Sequence, residues 1–136
     1  LHPTILDDLG LIDAIAEIGN QEASRYGWQL QLNLEALPYE PDKTVAITVF
    51  RICQEALNNI GKHANASQVT IELTNSNGVN LTIVDNGQGF DIGDLEFSYG
   101  FGIGTMRERT LNLSGHFSIE SQLDHGTIVS IQIPYS

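Results

Sequence analysis

Two alternating runs joined by a short turn constrain the fold more than any other feature of this chain. Residues 67–73 put Val69, Ile71 and Leu73 on one face, and residues 79–83 do the same with Val79, Leu81 and Ile83. A period of two reads as half-buried strand, and Asn75-Ser76-Asn77-Gly78 between the runs is hairpin-turn chemistry. The second strand leads into Val84-Asp85-Asn86-Gly87-Gln88-Gly89-Phe90. A carboxylate thus leaves the end of a strand and enters a turn where two glycines remove side-chain bulk. Asp85 can point into a cavity there while the backbone at Gly87 and Gly89 approaches a ligand closely. A carboxylate only accepts hydrogen bonds, so it suits an exocyclic amine such as adenine's. Asp-Asn-Gly is equally ordinary surface-turn chemistry, and this stretch alone leaves both readings open.

The surrounding pattern is helical and stranded in turn. Leu9, Leu11, Ile12, Ile15, Ala16 and Ile18 recur at helical spacing after Asp7-Asp8, which predicts one helix over 8–26, capped by an Asp and stopped by Gly27. Residues 28–34 alternate and predict a strand, and 38–41 a loop. Asp42 reads as the N-cap of a long helix to about residue 63, with Val45, Val49, Ile52, Cys53, Ala56 and Ile60 as its core stripe. Residues 86–104 are glycine-rich without a period. A short helix over 105–113, stopped near Gly115, precedes strands over 116–121 and 127–133, joined around Asp124-His125-Gly126.

Strands meeting as hairpins, with helices between them, predict an α+β two-layer sandwich with a mixed, mainly antiparallel sheet and its helices on one face. A doubly wound nucleotide fold would alternate strand and helix regularly. The 136 residues suffice for one domain. Seventeen acids against six bases give a net charge of -11, which argues against a nucleic-acid or anionic-membrane surface. It does not exclude a nucleotide that arrives with a metal. The single cysteine, Cys53, excludes an internal disulfide, and its place in the apolar stripe predicts a buried, inert thiol. No apolar run is long enough to span a membrane, and there is no signal-peptide pattern. The first residue is not Met, so the chain is expected to be a fragment of something longer.

Two further stretches carry candidate chemistry. Glu55, Asn59 and then Lys62 or His63 follow at i, i+4 and i+7 or i+8, beside the core stripe. Asn59 offers a neutral hard oxygen suited to a Mg²⁺ ion that keeps most of its waters and leans on phosphates. Glu55 can act as a general base, and Lys62 and His63 can hold phosphate oxygens. A solvated helix face is the rival reading. In Tyr99-Gly100-Phe101-Gly102-Ile103-Gly104-Thr105-Met106-Arg107-Glu108-Arg109, alternate glycines before a helix expose backbone N–H groups at its positive end, a phosphate cradle.

Together these stretches resemble a known family. Phe50-Arg51-Ile52-Cys53-Gln54-Glu55-Ala56-Leu57-Asn58-Asn59-Ile60-Gly61-Lys62-His63-Ala64 closely resembles the N box of sensor histidine kinases. Asp85 to Phe90 resembles their first glycine box, and Gly100 to Arg109 their second. Gly126-Thr127 is similar to the Gly-Thr that closes the adenine pocket across the wider superfamily, which includes gyrase and a heat-shock chaperone. The wording Gln-Glu-Ala-Leu-Asn-Asn and Met-Arg-Glu-Arg is similar to the nitrate-sensor and lipid-desaturase-sensor branch. Leu1-His2-Pro3 through Leu11 resembles the junction after that branch's dimerisation helices, so 1–8 are expected as junction and 1–136 as one catalytic domain. One departure is Thr105, which stands where the branch usually has Gly immediately before the Met.

The resemblance implies ATP and Mg²⁺ as ligands. Asp85 would bind the adenine amine with Thr127 assisting through a water, and Gly87 and Gly89 would line the pocket. Asn59 would hold the magnesium, while Lys62, His63 and the backbone at Gly100, Gly102 and Gly104 would contact phosphates. Glu55 would be the base for transfer of the γ-phosphate to a histidine on an upstream dimerisation helix. His2, His63, His116 and His125 are not expected to be that acceptor. The implied partners are the protein's own phosphoacceptor helices and a response regulator with a receiver and a helix-turn-helix output, in a homodimeric full-length protein. A cytoplasmic domain is implied, and membrane anchoring of the full-length protein is left open. Two rival functions are a nucleotide-sensing interaction module without transfer chemistry and a serine kinase that antagonises a sigma factor.

Overall fold

In the computed structural model, which describes residues 3–91 and 102–135, the hairpin around Asn75-Ser76-Asn77-Gly78 lies at the centre of a sheet. Among the described residues the strands are β1 (Gln29–Leu34), β2 (Gln68–Asn75), β3 (Val79–Asp85), β4 (His116–Ser121) and β5 (Thr127–Ile133), in the spatial order β1-β2-β3-β5-β4. The β1–β2 pair is parallel and the remaining pairs are antiparallel, so the sheet is mixed and mainly antiparallel. The helices are α1 (Thr4–Leu9), α2 (Leu11–Tyr26), α3 (Lys43–Asn59) and α4 (Ile103–Asn112).

One face of the sheet is apolar and buried. Val69, Ile71 and Leu73 of β2, Leu81 and Ile83 of β3, and Ile131 and Ile133 of β5 join Leu11, Ile15 and Ile18 of α2 and Val49, Ile52 and Ala56 of α3 in a continuous core. Residues between them on each strand, such as Glu72, Thr82 and Ser130, face away and are at least partly exposed. The helices therefore occupy one layer and the sheet the other, the α+β sandwich that the periodicities predict. All six stripe residues from Val45 to Ile60 are buried. Cys53 is among them, and burial pushes its thiol up to about 12, so it is inert at neutral pH.

Several boundaries differ from those expected. The single helix over 8–26 is two helices, because Gly10 adopts φ 82° and ψ 171° and breaks the run. Neither Asp7 nor Asp8 caps α2. The Leu11 N–H instead donates to the Glu40 carboxylate at 3.1–3.2 Å, a cap supplied from 29 residues away. Part of the stretch expected as junction is thereby helical. Asp42 holds the N-cap position of α3 without a side-chain cap; its own N–H donates to the Tyr135 carbonyl. Trp28 lies in the turn between α2 and β1 rather than in β1, since the Gly27 and Trp28 N–H groups both donate to the Ala23 carbonyl around a left-handed Gly27.

Two differences bear on the site. After Asn59 the helix widens into a π-helical turn, Ile60–Ala64, that ends at a left-handed Asn65. The helix α4 starts at Ile103 rather than Thr105, because Gly102 takes the left-handed conformation at its N-cap and Ile103 is buried. Gly104 therefore lies inside the first turn of α4.

Candidate functional site

At the end of the sheet nearest the π-helical turn, Asp85 and Thr127 stand opposite each other across the β3–β5 pair. Residues paired in this way project their side chains to the same face. Here that is the helix-covered face, where each is only 5% exposed, and Asn59 at the end of α3 is 8% exposed. These three polar side chains share one small pocket whose walls include Ile83, Phe90, Ile103, Ile119 and Val129. Apolar walls with a few convergent polar groups are the usual lining of a small-molecule site. The Asp85 Oδ1 accepts the Gly87 N–H at 2.8 Å. Burial raises the Asp85 carboxyl above its ordinary value, and the Gly87 bond works against that rise.

The Asp85 turn is locked to its surroundings. Asn86 accepts the Ser67 and Gln68 N–H groups on its Oδ1, each at 2.9 Å, and so ties the end of β3 to the start of β2. Gln88 caps the π-helical turn: its N–H donates to the Ala64 carbonyl at 2.8 Å and its Nε2 to the His63 carbonyl at 2.6 Å. Gly87 is required by this contact, since a Cβ there would lie 2.3 Å from the Ala64 carbonyl oxygen. At Gly89 (φ 65°) it would lie 2.0 Å from the Gln122 carbonyl oxygen. The crowding that demands glycine at 87 and 89 thus comes from the protein's own backbone.

Glu55 lies one turn before Asn59 and opens on a neighbouring cleft between α3 and α4, with Thr48, Arg51, Thr105, Met106 and Arg109. Gly102 backs directly onto it; a Cβ there would sit 2.8 Å from Glu55 Oε1. Lys62 and His63 are exposed on the π-helical turn, and Gly104 is exposed on α4. The α-helical spacing that would stack Lys62 or His63 above Asn59 stops at Asn59, because the wider turn changes the phase. Tyr99, Gly100, Phe101 and His2 lie outside the described residues.

Sequence reasoning missed Ser121, Phe90, Ile103 and Ile119. The Phe90 N–H donates to Ser121 Oγ at 2.8 Å, the Ser121 hydroxyl lies 3.0 Å from the Gly126 carbonyl oxygen, and it lies 2.8 Å from Thr127 Oγ1. Ser121 faces Thr127 across the β4–β5 pair, so the register of the last hairpin was a usable signal. Among the described residues no group of three His, Cys, Asp or Glu side chains is placed to hold a metal ion. The Asn59 side chain offers a single neutral, hard oxygen, which fits an ion that takes most of its ligands from phosphate and water, as Mg²⁺ does.

An α+β sandwich with a buried acid at a strand exit, a helix wall bearing Glu55 and Asn59, and a glycine-started helix across from it defines a class of nucleotide-binding domain. The family model described as "Histidine kinase-, DNA gyrase B-, and HSP90-like ATPase" matches residues 44–136, and the chain belongs to that family. Its curated relatives place it with the ATP-binding domains of sensor histidine kinases. It is 34% identical over 135 residues to the oxygen sensor histidine kinase NreB of Staphylococcus carnosus, covering 98% of this chain and 39% of that protein. It is 38% identical over 136 residues to the histidine-protein kinase/phosphatase UhpB of Salmonella typhimurium, covering 98% of this chain and 26% of that protein. The chain thus spans well under half the length of these relatives. Among solved structures it resembles the histidine kinase domain of the Erythrobacter litoralis blue-light activated kinase EL346, with TM-score 0.74 and 22% identity, over 92% of this chain and 61% of that one. No helix among the described residues is long and apolar enough to cross a membrane.

Proposed function

We propose that residues 1–136 are one catalytic domain that binds Mg-ATP and donates the γ-phosphate to a histidine on a dimerisation helix preceding it, within a two-component system. The observation that carries this reading is the shared pocket of Asp85, Thr127 and Asn59, with the carboxylate buried and held on the Gly87 N–H. Asp85 takes the adenine amine as an acceptor, and Phe90, Ile103 and Ile119 enclose the ring. Asn59 lends an oxygen to Mg²⁺, which when bound offsets phosphate charge. Lys62, His63 and the backbone at Gly100, Gly102 and Gly104 hold phosphate oxygens.

Glu55 lies one helical turn from Asn59, so it stands at the phosphate end rather than the base end. As the acceptor nitrogen forms its bond to the γ-phosphorus, the bond to the ADP oxygen breaks, ADP leaves, and Glu55 takes the proton from the imidazole. The response regulator, with receiver and helix-turn-helix output, then takes the phosphoryl group from that histidine. A cytoplasmic site for this domain and a homodimeric full-length protein belong to the same proposal.

Incubating this chain with labelled ATP and a separately produced segment carrying the upstream helices tests the assignment. Label is expected on a histidine of the added segment, not on this chain. Glu55→Ala is expected to lower transfer about 100-fold or more while nucleotide affinity stays within about twofold. Label on a histidine of this chain alone, or full transfer by Glu55→Ala, would contradict it.

A further inference from the structure

Ser121 is drawn into the pocket through Thr127, and its hydrogen bonds can be satisfied together in one way only. A serine hydroxyl has one proton and two lone pairs. The Phe90 N–H, 2.8 Å away, can only donate to it. The Gly126 carbonyl, 3.0 Å away, can only accept, so it takes the serine proton. The remaining contact, 2.8 Å to Thr127 Oγ1, must then use the threonine proton. Thr127 turns its hydrogen away from the pocket and presents lone pairs to whatever lies beside Asp85.

We propose that Ser121 is a positioning residue that makes Thr127 an acceptor only, so that the pocket floor, with Asp85, selects a base edge bearing hydrogen-bond donors. Two acceptors side by side favour a ligand amine, or a water that donates to both and accepts the amine proton itself. Either arrangement rewards the exocyclic amine of adenine and offers nothing to a base edge that bears no hydrogen-bond donor, such as that of unsubstituted purine. Ser121 also holds the Phe90 backbone, but Phe90 meets the ring through apolar surface and treats both kinds of base alike.

This inference rests on the nucleotide reading of the pocket, and the test separates the two. Calorimetric titrations with Mg²⁺ would compare ATP with purine riboside triphosphate, its 6-desamino analogue. Wild type is expected to prefer ATP. Ser121→Ala frees the Thr127 proton to turn inward, and the preference is expected to fall about threefold to tenfold, the range of one net hydrogen bond. Ser121→Thr, which keeps a hydroxyl on the strand, is expected to retain the preference. In a Thr127→Val background, Ser121→Ala is expected to change it no further. Equal weakening of both nucleotides by Ser121→Ala would overturn the role of Ser121 and leave the nucleotide reading intact. A wild type that binds both nucleotides without preference, or a preference untouched by Asp85→Asn, would overturn the amine selection, and a wild type that binds neither would overturn the nucleotide reading with it.

Discussion

Burying the Asp85 carboxylate beneath α3 and α4 costs the fold stability that its bond from Gly87 only partly offsets. Because its folded pKa is raised above the ordinary 3.8, the folded chain binds this proton more readily than the unfolded chain. Stability contributed by that proton is fully present in acid, falls as pH rises from 3.8 through the raised value, and stays lost above it. Asp85→Asn keeps the size and an acceptor for Gly87 but removes the charge. In the ligand-free chain it is therefore expected to raise the melting temperature at neutral pH, with the gap closing as pH falls through the raised pKa. A pH series of thermal melts checks this; a lower melting temperature for the variant at neutral pH would contradict it. A buried carboxylate that costs stability is a candidate binding group. Asp85 and Asn59 were singled out from the chemistry of their own stretches, and Thr127 from the resemblance of Gly126-Thr127 to a family motif. Ser121 was not singled out: its contacts are gathered from Phe90, Gly126 and Thr127, and only the register of the last hairpin pointed to it.

The elements were legible where one period runs unbroken, as in the six-residue stripe of α3 and the alternation of β2, β3, β4 and β5. They were misread where a distant partner decides. Gly10 looks like a weak helical residue until Glu40, from the segment between β1 and α3, supplies the cap for Leu11. Likewise the π-helical turn depends on Gln88, which returns from the far end of β3 to bond the His63 and Ala64 carbonyls. Local pattern carries no signal for either contact. Glu40→Ala is expected to cost about 0.5–2 kcal/mol, the range for losing a helix cap, and Glu40→Gln clearly less because its amide oxygen still accepts. Denaturant unfolding of both variants checks the ordering. Equal stability of Glu40→Ala and wild type would mean that the carboxylate does not hold the α1–α2 break.

At the scale of the whole molecule, two clefts meet along α3. One holds Asp85, Thr127 and Asn59, and the other, opening between α3 and α4, holds Glu55 against the start of α4. The two clefts are thereby lined by residues one helical turn apart near the C-terminal end of α3, a neighbourhood that follows from sheet order. Placing β5 beside β3 brings Thr127 to Asp85, and the connection after β3 leads to α4, whose first residues face Glu55. The two-layer class followed from the hairpins, whereas the exchange of β5 and β4 in the sheet order had no local signature.

The central claim is that the Asp85 pocket holds the adenine of ATP. Titration calorimetry of the wild-type chain and Asp85→Asn with Mg²⁺ and a non-hydrolysable ATP analogue tests it most directly. Saturable one-to-one binding to wild type is expected, with an affinity about 10-fold to 100-fold lower for the variant, the range for losing a charged hydrogen bond. Unchanged affinity in a folded Asp85→Asn chain would contradict it.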